Sequence, residues 1–88
     1  MPRRTKYEIW VAILEVCLHE ARHQSWILRE LSLKTDLVKE ALEFLVKRQL
    51  IESVQAQDDK WENYRTTMKG KEALNQFYVL ITKFFPDR

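Results

Sequence analysis

Apolar positions recur along this chain with two different periods, and the change of period divides it into helical and extended segments. Thr5 followed by Glu8 matches a capping box, in which the two residues satisfy each other's free backbone donors at a helix start. From there Ile9, Ile13 and Val16, with Trp10, Leu14 and Cys17 beside them, recur at helical spacing and predict a first helix to about Glu20. Residues 21–24 form a polar break able to hold a short strand. Ser25 is then placed to cap a short second helix carrying Trp26, Ile27, Leu28 and Leu31. A tight turn follows at residues 32–34, after which Thr35 is expected to cap a third helix running to roughly Arg48. Val38, Ala41, Leu42 and Leu45 form its buried stripe. A short helix, a three-residue turn and a longer helix make a helix-turn-helix.

The period then shortens. Ile51, Val54 and Thr66 lie in β-prone stretches separated by Asp58-Asp59-Lys60, a polar hairpin signal. Two strands with a polar tip, placed after a helix-turn-helix, describe a wing. Thr67 is expected to cap a last helix through Phe85, about 18 residues or roughly 27 Å long. The predicted class is mainly α with a small β wing. A winged helix-turn-helix over residues 1–67 and a C-terminal antiparallel dimerisation helix over residues 68–88 form one structural unit.

Leu74, Phe77, Ile81 and Phe84 in the last helix are spaced three, four and three, the repeat of a coiled-coil seam, and Tyr78 and Phe85 widen it. Met68, Ala73 and Leu74 are expected to pack on the domain, while the distal half projects past it. Too few elements precede this helix to cover Phe77, Ile81, Phe84 and Phe85, and bare apolar patches usually mark a partner surface. A homodimer through these six seam residues is the expectation.

Composition changes this picture only in places. With 88 residues, the chain suffices for one domain and is too short for two. Hydrophobic residues make up 45% of it, a thin core for which dimerisation is a natural supplement. A net charge of +2 and a pI of about 8.8 permit a polyanionic partner without demanding one. Cys17 is the single cysteine, which leaves no internal disulfide and no cysteine metal cage, and reads as a small buried hydrophobe. No stretch approaches the roughly 18 consecutive apolar residues of a membrane span. The first residues lack the apolar segment of a signal peptide, so a cytoplasmic, nucleoid-associated protein is expected. No internal linker, repeat or low-complexity segment is visible.

The run from Glu8 to Leu18, the stretch LVKEALEFLVKRQLIES and the stretch YRTTMKGKEALNQFYVL together resemble the small archaeal winged-helix proteins. Those share a Y-x-L-T-x-K-G-x-x-x-L ending, matched here by Tyr64, Thr67, Lys69, Gly70 and Leu74, and include ten-kilodalton chromatin-associated DNA-binding dimers. The resemblance covers nearly the whole chain and implies a winged helix, a dimer through the final helix and binding to duplex DNA. Three departures stand out. Gln49 occupies the place where a glycine usually closes the recognition helix, Thr66 replaces the usual leucine, and the last helix is short. Gly70 also has a physical reading of its own: early in a helix a glycine costs about 1 kcal/mol against alanine, which points to close approach of another backbone.

A helix-turn-helix sets its second helix in the major groove. With the apolar stripe inward, that helix turns Asp36, Glu40, Glu43 and Lys47 outward, and residues 51–66 hold two cations against four carboxylates. Neither feature favours phosphate. The candidate basic surface is instead Arg3, Arg4 and Lys6 on the N-terminal arm with Arg22, Arg29, Lys34 and Lys39. The helix N-terminus at Thr35 joins it, as do Lys60 and Arg65 on the wing. Trp61 is positioned to pack on sugar, on its own strand or on a protein partner. The expected function is duplex-DNA binding with low base specificity, as a transcription regulator or chromatin-architectural protein. The alternative is a winged-helix protein–protein interaction module that does not bind DNA. No nucleophile with a neighbouring base and no phosphate loop stands out, so neither an enzyme nor a cofactor or small-molecule substrate is expected. His19 and His23 are four apart, a metal-binding spacing on a helix, but the helix is expected to end between them and no third ligand is near.

Overall fold

Thr5 opens the first helix of the computed structural model, which describes residues 5–55 and 62–86. Its side chain accepts from the Glu8 N–H at 3.2 Å and the Glu8 carboxylate accepts from the Thr5 N–H at 3.4 Å, the reciprocal cap expected from the sequence. The helix, α1 (Lys6–Val16), ends four residues earlier than its apolar spacing suggests. The cause lies 50 residues downstream. Leu18 N–H, which a continuing helix would direct to Leu14, bonds Glu15 instead. The Thr66 hydroxyl donates to the freed Leu14 carbonyl at 2.7 Å, and the Thr66 N–H donates to Cys17. The departure at Thr66 therefore does specific work: its hydroxyl and amide close the C-terminus of α1 in a buried setting where water cannot.

The polar break holds a two-residue strand, β1 (Arg22–His23). The second helix, α2 (Gln24–Leu31), is capped by His23 rather than Ser25. His23 has the extended conformation that a cap requires, and its Nδ1 accepts from the Ser25 N–H at 3.2 Å. The third helix, α3 (Thr35–Lys47), has its cap one residue earlier than expected: Lys34 is its N-cap and offers no side-chain bond, so Thr35 sits inside the first turn. Both helices close in the same way. Ser32 and Gln49 adopt the left-handed conformation, with φ of 53° and 62°. Leu33 N–H returns to Leu28 and Leu50 N–H to Leu45, the backbone pairing of a Schellman end.

The strands β2 (Ile51–Gln55) and β3 (Glu62–Thr66) pair antiparallel, with β1 on the other side of β3. Because strand side chains alternate, Ile51, Ser53, Glu62, Tyr64 and Thr66 share the face toward the helices while Glu52 and Arg65 share the outer face. The hairpin tip with Asp58, Asp59 and Lys60, and Trp61 beside it, lies outside the described residues, as do Arg3 and Arg4.

Thr67 caps the last helix, α4 (Met68–Phe84), accepting from the Gly70 N–H at 3.0 Å while its own hydroxyl donates to the Gln49 carbonyl at 2.6 Å. Gly70 is buried, and a Cβ there would strike the Leu50 carbonyl oxygen and come within 2.6 Å of the Thr66 methyl. The close backbone approach expected from the sequence is the reason for the glycine. Leu74 joins Ile13, Ile27, Val38, Leu45 and Ile51 in the core, where full burial of such a side chain stabilises by about 1.5–3 kcal/mol. Met68 does not pack on the domain as expected. It is 77% exposed, because the N-terminal turn of α4 turns Gly70, not residue 68, toward the Leu50 backbone.

Candidate nucleic-acid interface

The outward side of α3 is positioned from two directions. On one side Trp10 of α1 stacks parallel on Phe44 at 3.9 Å, Tyr7 meets Trp10 edge-on, and the Arg48 guanidinium covers Phe44 at 3.5 Å. On the other the wing's inner face meets α3 across an open groove lined by Lys39, Glu43, Val46 and Lys47 and, from β3, Glu62 and Tyr64. The helix is thus held between an aromatic stack and the wing, with Asp36, Lys39, Glu40, Glu43 and Lys47 exposed. Burial, and after it the charge and hydrogen bond of Glu62 and the charge of Glu43, push the Tyr64 phenol above its ordinary value. It is a neutral wall of the groove. Val46 and Tyr64 are not among the DNA-binding residues expected from the sequence, although strand alternation from Ile51 and Thr66 sets Tyr64 facing α3.

The candidate cations divide into two groups. Arg22 pairs with Glu20 at 3.4 Å and lies over the Trp26 ring at 4.0 Å, and its buried Nε has no hydrogen-bond partner among the described residues. Arg65 pairs with Glu52 at 3.1 Å, directly across the hairpin and on its outer face. Both are already engaged by their own chain. Lys6, Arg29, Lys34 and Lys39 are exposed, and none forms an ion pair among the described residues. Lys34 and Arg29 flank the turn that leads into α3, whose first amides no Lys34 side-chain bond occupies.

The seam residues also divide. Leu74 is buried within its own chain and Phe77 is half-buried, whereas Tyr78, Ile81, Phe84 and Phe85 are exposed, the last two at 61% and 64%. Val79 and Leu80 are exposed as well, so the distal half of α4 is apolar around much of its circumference. The Tyr78 hydroxyl donates to the Glu15 carboxylate of α1, and that bond, followed by burial and the Glu15 charge, pushes the phenol up to about 12.

Other candidate chemistry is structural. His19 lies in the turn after α1 and His23 pairs in β1, so they share no helix face, and among the described residues no group of three His, Cys, Asp or Glu is arranged to hold a metal. Burial pushes the Cys17 thiol up to about 12, against the opposing charge of Arg22, which keeps it protonated. Among the described residues no helix is long and apolar enough to cross a membrane.

Comparison with known folds agrees with this architecture. The chain superposes on ZitR from Lactococcus lactis (C30AH42A mutant, apo form) with a TM-score of 0.77 and 22% identity, covering 89% of this chain and 60% of that one. A PadR family transcription regulator from Clostridium difficile gives 0.72 and 21%, covering 85% and 91%. Wild-type MarR from E. coli gives 0.73 and 16%, covering 89% and 56%. The chain therefore spans about 60% of the length of this ZitR structure and 56% of MarR. No curated protein sequence matches it significantly. The family profile described as winged helix-turn-helix matches residues 3–84, and the chain belongs to that family.

Proposed function

We propose that the protein is a dimeric duplex-DNA-binding protein, a transcription regulator or chromatin-architectural protein of low base specificity that works in the cytoplasm on nucleoid DNA. The kinship with small archaeal chromatin proteins belongs to the same proposal. One observation carries the DNA reading. The exposed helix α3 stands between turn and wing with Arg29, Lys34 and Lys39 around its N-terminal half, none of them in an ion pair among the described residues. Phosphate is favoured at a helix N-terminus and by unpaired cations. Lys6, with Arg3, Arg4 and Lys60 beyond the described residues, extends the grip, while Arg22 and Arg65 add to it only if they leave their carboxylate partners.

The test is fluorescence anisotropy on a random-sequence duplex at about 50 mM salt, repeated as salt is raised. The expected outcome is modest affinity, with a salt slope that corresponds to about three to five phosphates neutralised per monomer. No binding at tens of micromolar protein would overturn the reading. A footprint on long DNA then separates the two roles, contiguous protection meaning architecture and a single protected site meaning regulation. Dimerisation is supported by the uncovered distal half of α4, and sedimentation that finds a monomer at tens of micromolar removes it.

A second reading has its own observation. Asp36, Glu40 and Glu43 on α3 and Glu62 on the wing are exposed and make no ion pair among the described residues, a surface suited to a basic protein partner. Charge reversal at Glu40 and Glu43 discriminates: it abolishes docking to such a partner and leaves DNA binding unchanged or improved. Neither reading involves catalysis.

A further inference from the structure

Helix α3 has a neighbour on each side, and the two flanks carry opposite charge. The Thr66 bond to Leu14 holds the C-terminal end of α1 at the base of the hairpin. The other end of α1 lies along α3, where Lys6, Ile9 and Trp10 meet Leu37, Glu40 and Phe44 in one cleft. The wing stands on the opposite side of α3. Residues 51–66 of that wing hold two cations against four carboxylates, and Glu52 already engages Arg65. The segment entering α1 holds Arg3, Arg4 and Lys6, with no carboxylate before Glu8. Lys6 is exposed and forms no ion pair among the described residues, although Glu40 lines the same cleft.

A helix lying in the major groove has a phosphate strand along each flank and a minor groove beyond each strand. Where the minor groove is narrow, as in A-tracts, its negative potential is enhanced and attracts arginine. That potential repels a wing with excess carboxylates and draws in a flank that carries only cations. Reach is sufficient. The four residues ahead of Thr5 span at most about 14 Å, against a minor groove about 6 Å wide. We propose that Arg3 and Arg4 enter the minor groove on the α1 side of α3, with Lys6 on the phosphate strand between the two grooves, while the wing stays out of the minor groove on its own side. The inference rests on the DNA-binding reading and deepens it: the second groove contact belongs to the arm, and what it senses is groove width.

The experiment measures anisotropy of the full chain on a duplex of about 20 base pairs with a central A-tract, at about 50 mM salt, with and without saturating netropsin, a ligand that fills the minor groove of A·T runs. Netropsin should weaken binding of the natural chain by about tenfold. The double variant Arg3→Ala/Arg4→Ala should bind the bare duplex about tenfold less tightly and no longer respond to netropsin. Both positions precede the Thr5 cap, so its circular dichroism should match that of the natural chain. Lys60→Ala, in the wing, should bind within about twofold of the natural chain and keep the response. A natural chain indifferent to netropsin, a double variant that still responds, or a Lys60→Ala variant that has lost the response overturns this inference and leaves DNA binding standing. Failure of the natural chain to bind the bare duplex overturns the DNA reading and the groove assignment together.

Discussion

The two halves of α4 are one continuous helix under opposite constraints. The first half is specified almost atom by atom: Thr67 ties its start to Gln49 and Leu50, Gly70 lies against the Leu50 backbone, and Leu74 fills the core. The second half carries Val79, Leu80, Ile81, Phe84 and Phe85 with little of its own chain upon them. A side chain in the first half is chosen by what it must avoid, and in the second by what it has yet to meet. Substitutions at the root should therefore change the stability of the single chain, and substitutions at the tip should change association alone.

The largest expected effect is at the root. Gly70→Ala gains about 1 kcal/mol of helix propensity, but its methyl meets a backbone oxygen, which cannot swing aside as a side chain can. Overpacking costs about 1–3 kcal/mol and more where, as here, the neighbour is a backbone atom that cannot give way; taking about 4 kcal/mol for this site, less the propensity gain, a net loss of about 3 kcal/mol in chemical denaturation is expected. A neutral result would mean that α4 can slide on the wing, and the contrast between its halves would fail.

At the tip, Ile81→Asp places a charge in the proposed seam, where an unpaired carboxylate would have to be buried. Association should weaken by about a hundredfold in sedimentation, equivalent to about 2.7 kcal/mol. In dilute solution, where the chain is alone, Ile81 is exposed and the same substitution should barely move the unfolding midpoint. A midpoint that falls equally at every protein concentration would show that Ile81 serves the monomer's own core.

Thr66→Val tests the link between root and domain more gently. It keeps the shape and the methyl against Gly70 but removes the hydroxyl that closes α1 on the Leu14 carbonyl. A buried acceptor left without a donor costs about 1–3 kcal/mol, and a loss of about 2 kcal/mol is expected because no water replaces the hydroxyl at this buried helix end. Comparison with Thr66→Leu separates the lost bond from the added volume.

How much of this was legible beforehand follows the same division between pattern and coincidence. The helical and extended periods of Ile9 to Cys17, Val38 to Leu45 and Ile51 to Thr66 marked the elements, because burial of one face imposes them. Their ends were less legible. His23 caps α2 in place of Ser25, and Lys34 rather than Thr35 precedes α3, because the chain's path through β1 and through the left-handed Ser32 decided where each helix begins. The early end of α1 depends on Thr66, a partner no local reading of residues 14–18 contains. Among the candidate cations, the engagement of Arg65 by Glu52 required the hairpin register, and that of Arg22 the placement of Trp26 beneath it. The acidic outward face of α3 was readable from the stripe alone, since fixing Val38, Leu42 and Leu45 inward leaves no choice for Glu40 and Glu43.

The smallest expected effect lies where the root of α4 is anchored. Gln49 closes α3 with φ of 62°, a conformation that costs a residue with a Cβ about 1 kcal/mol and costs glycine nothing. Its side chain makes no hydrogen bond among the described residues, while its carbonyl, which any residue supplies, receives the Thr67 hydroxyl. Gln49→Gly should relieve the strain and lose part of the gain to the greater freedom of glycine in the unfolded chain, for a net stabilisation of about 0.5 kcal/mol. In a domain of this size that is a rise of about 3 °C in the melting midpoint. The association of α4 should not change, because the backbone bond that orients its start is retained. A lower midpoint would place a stabilising role in the Gln49 side chain, and an altered association constant would show that the anchor and the tip of α4 are coupled after all.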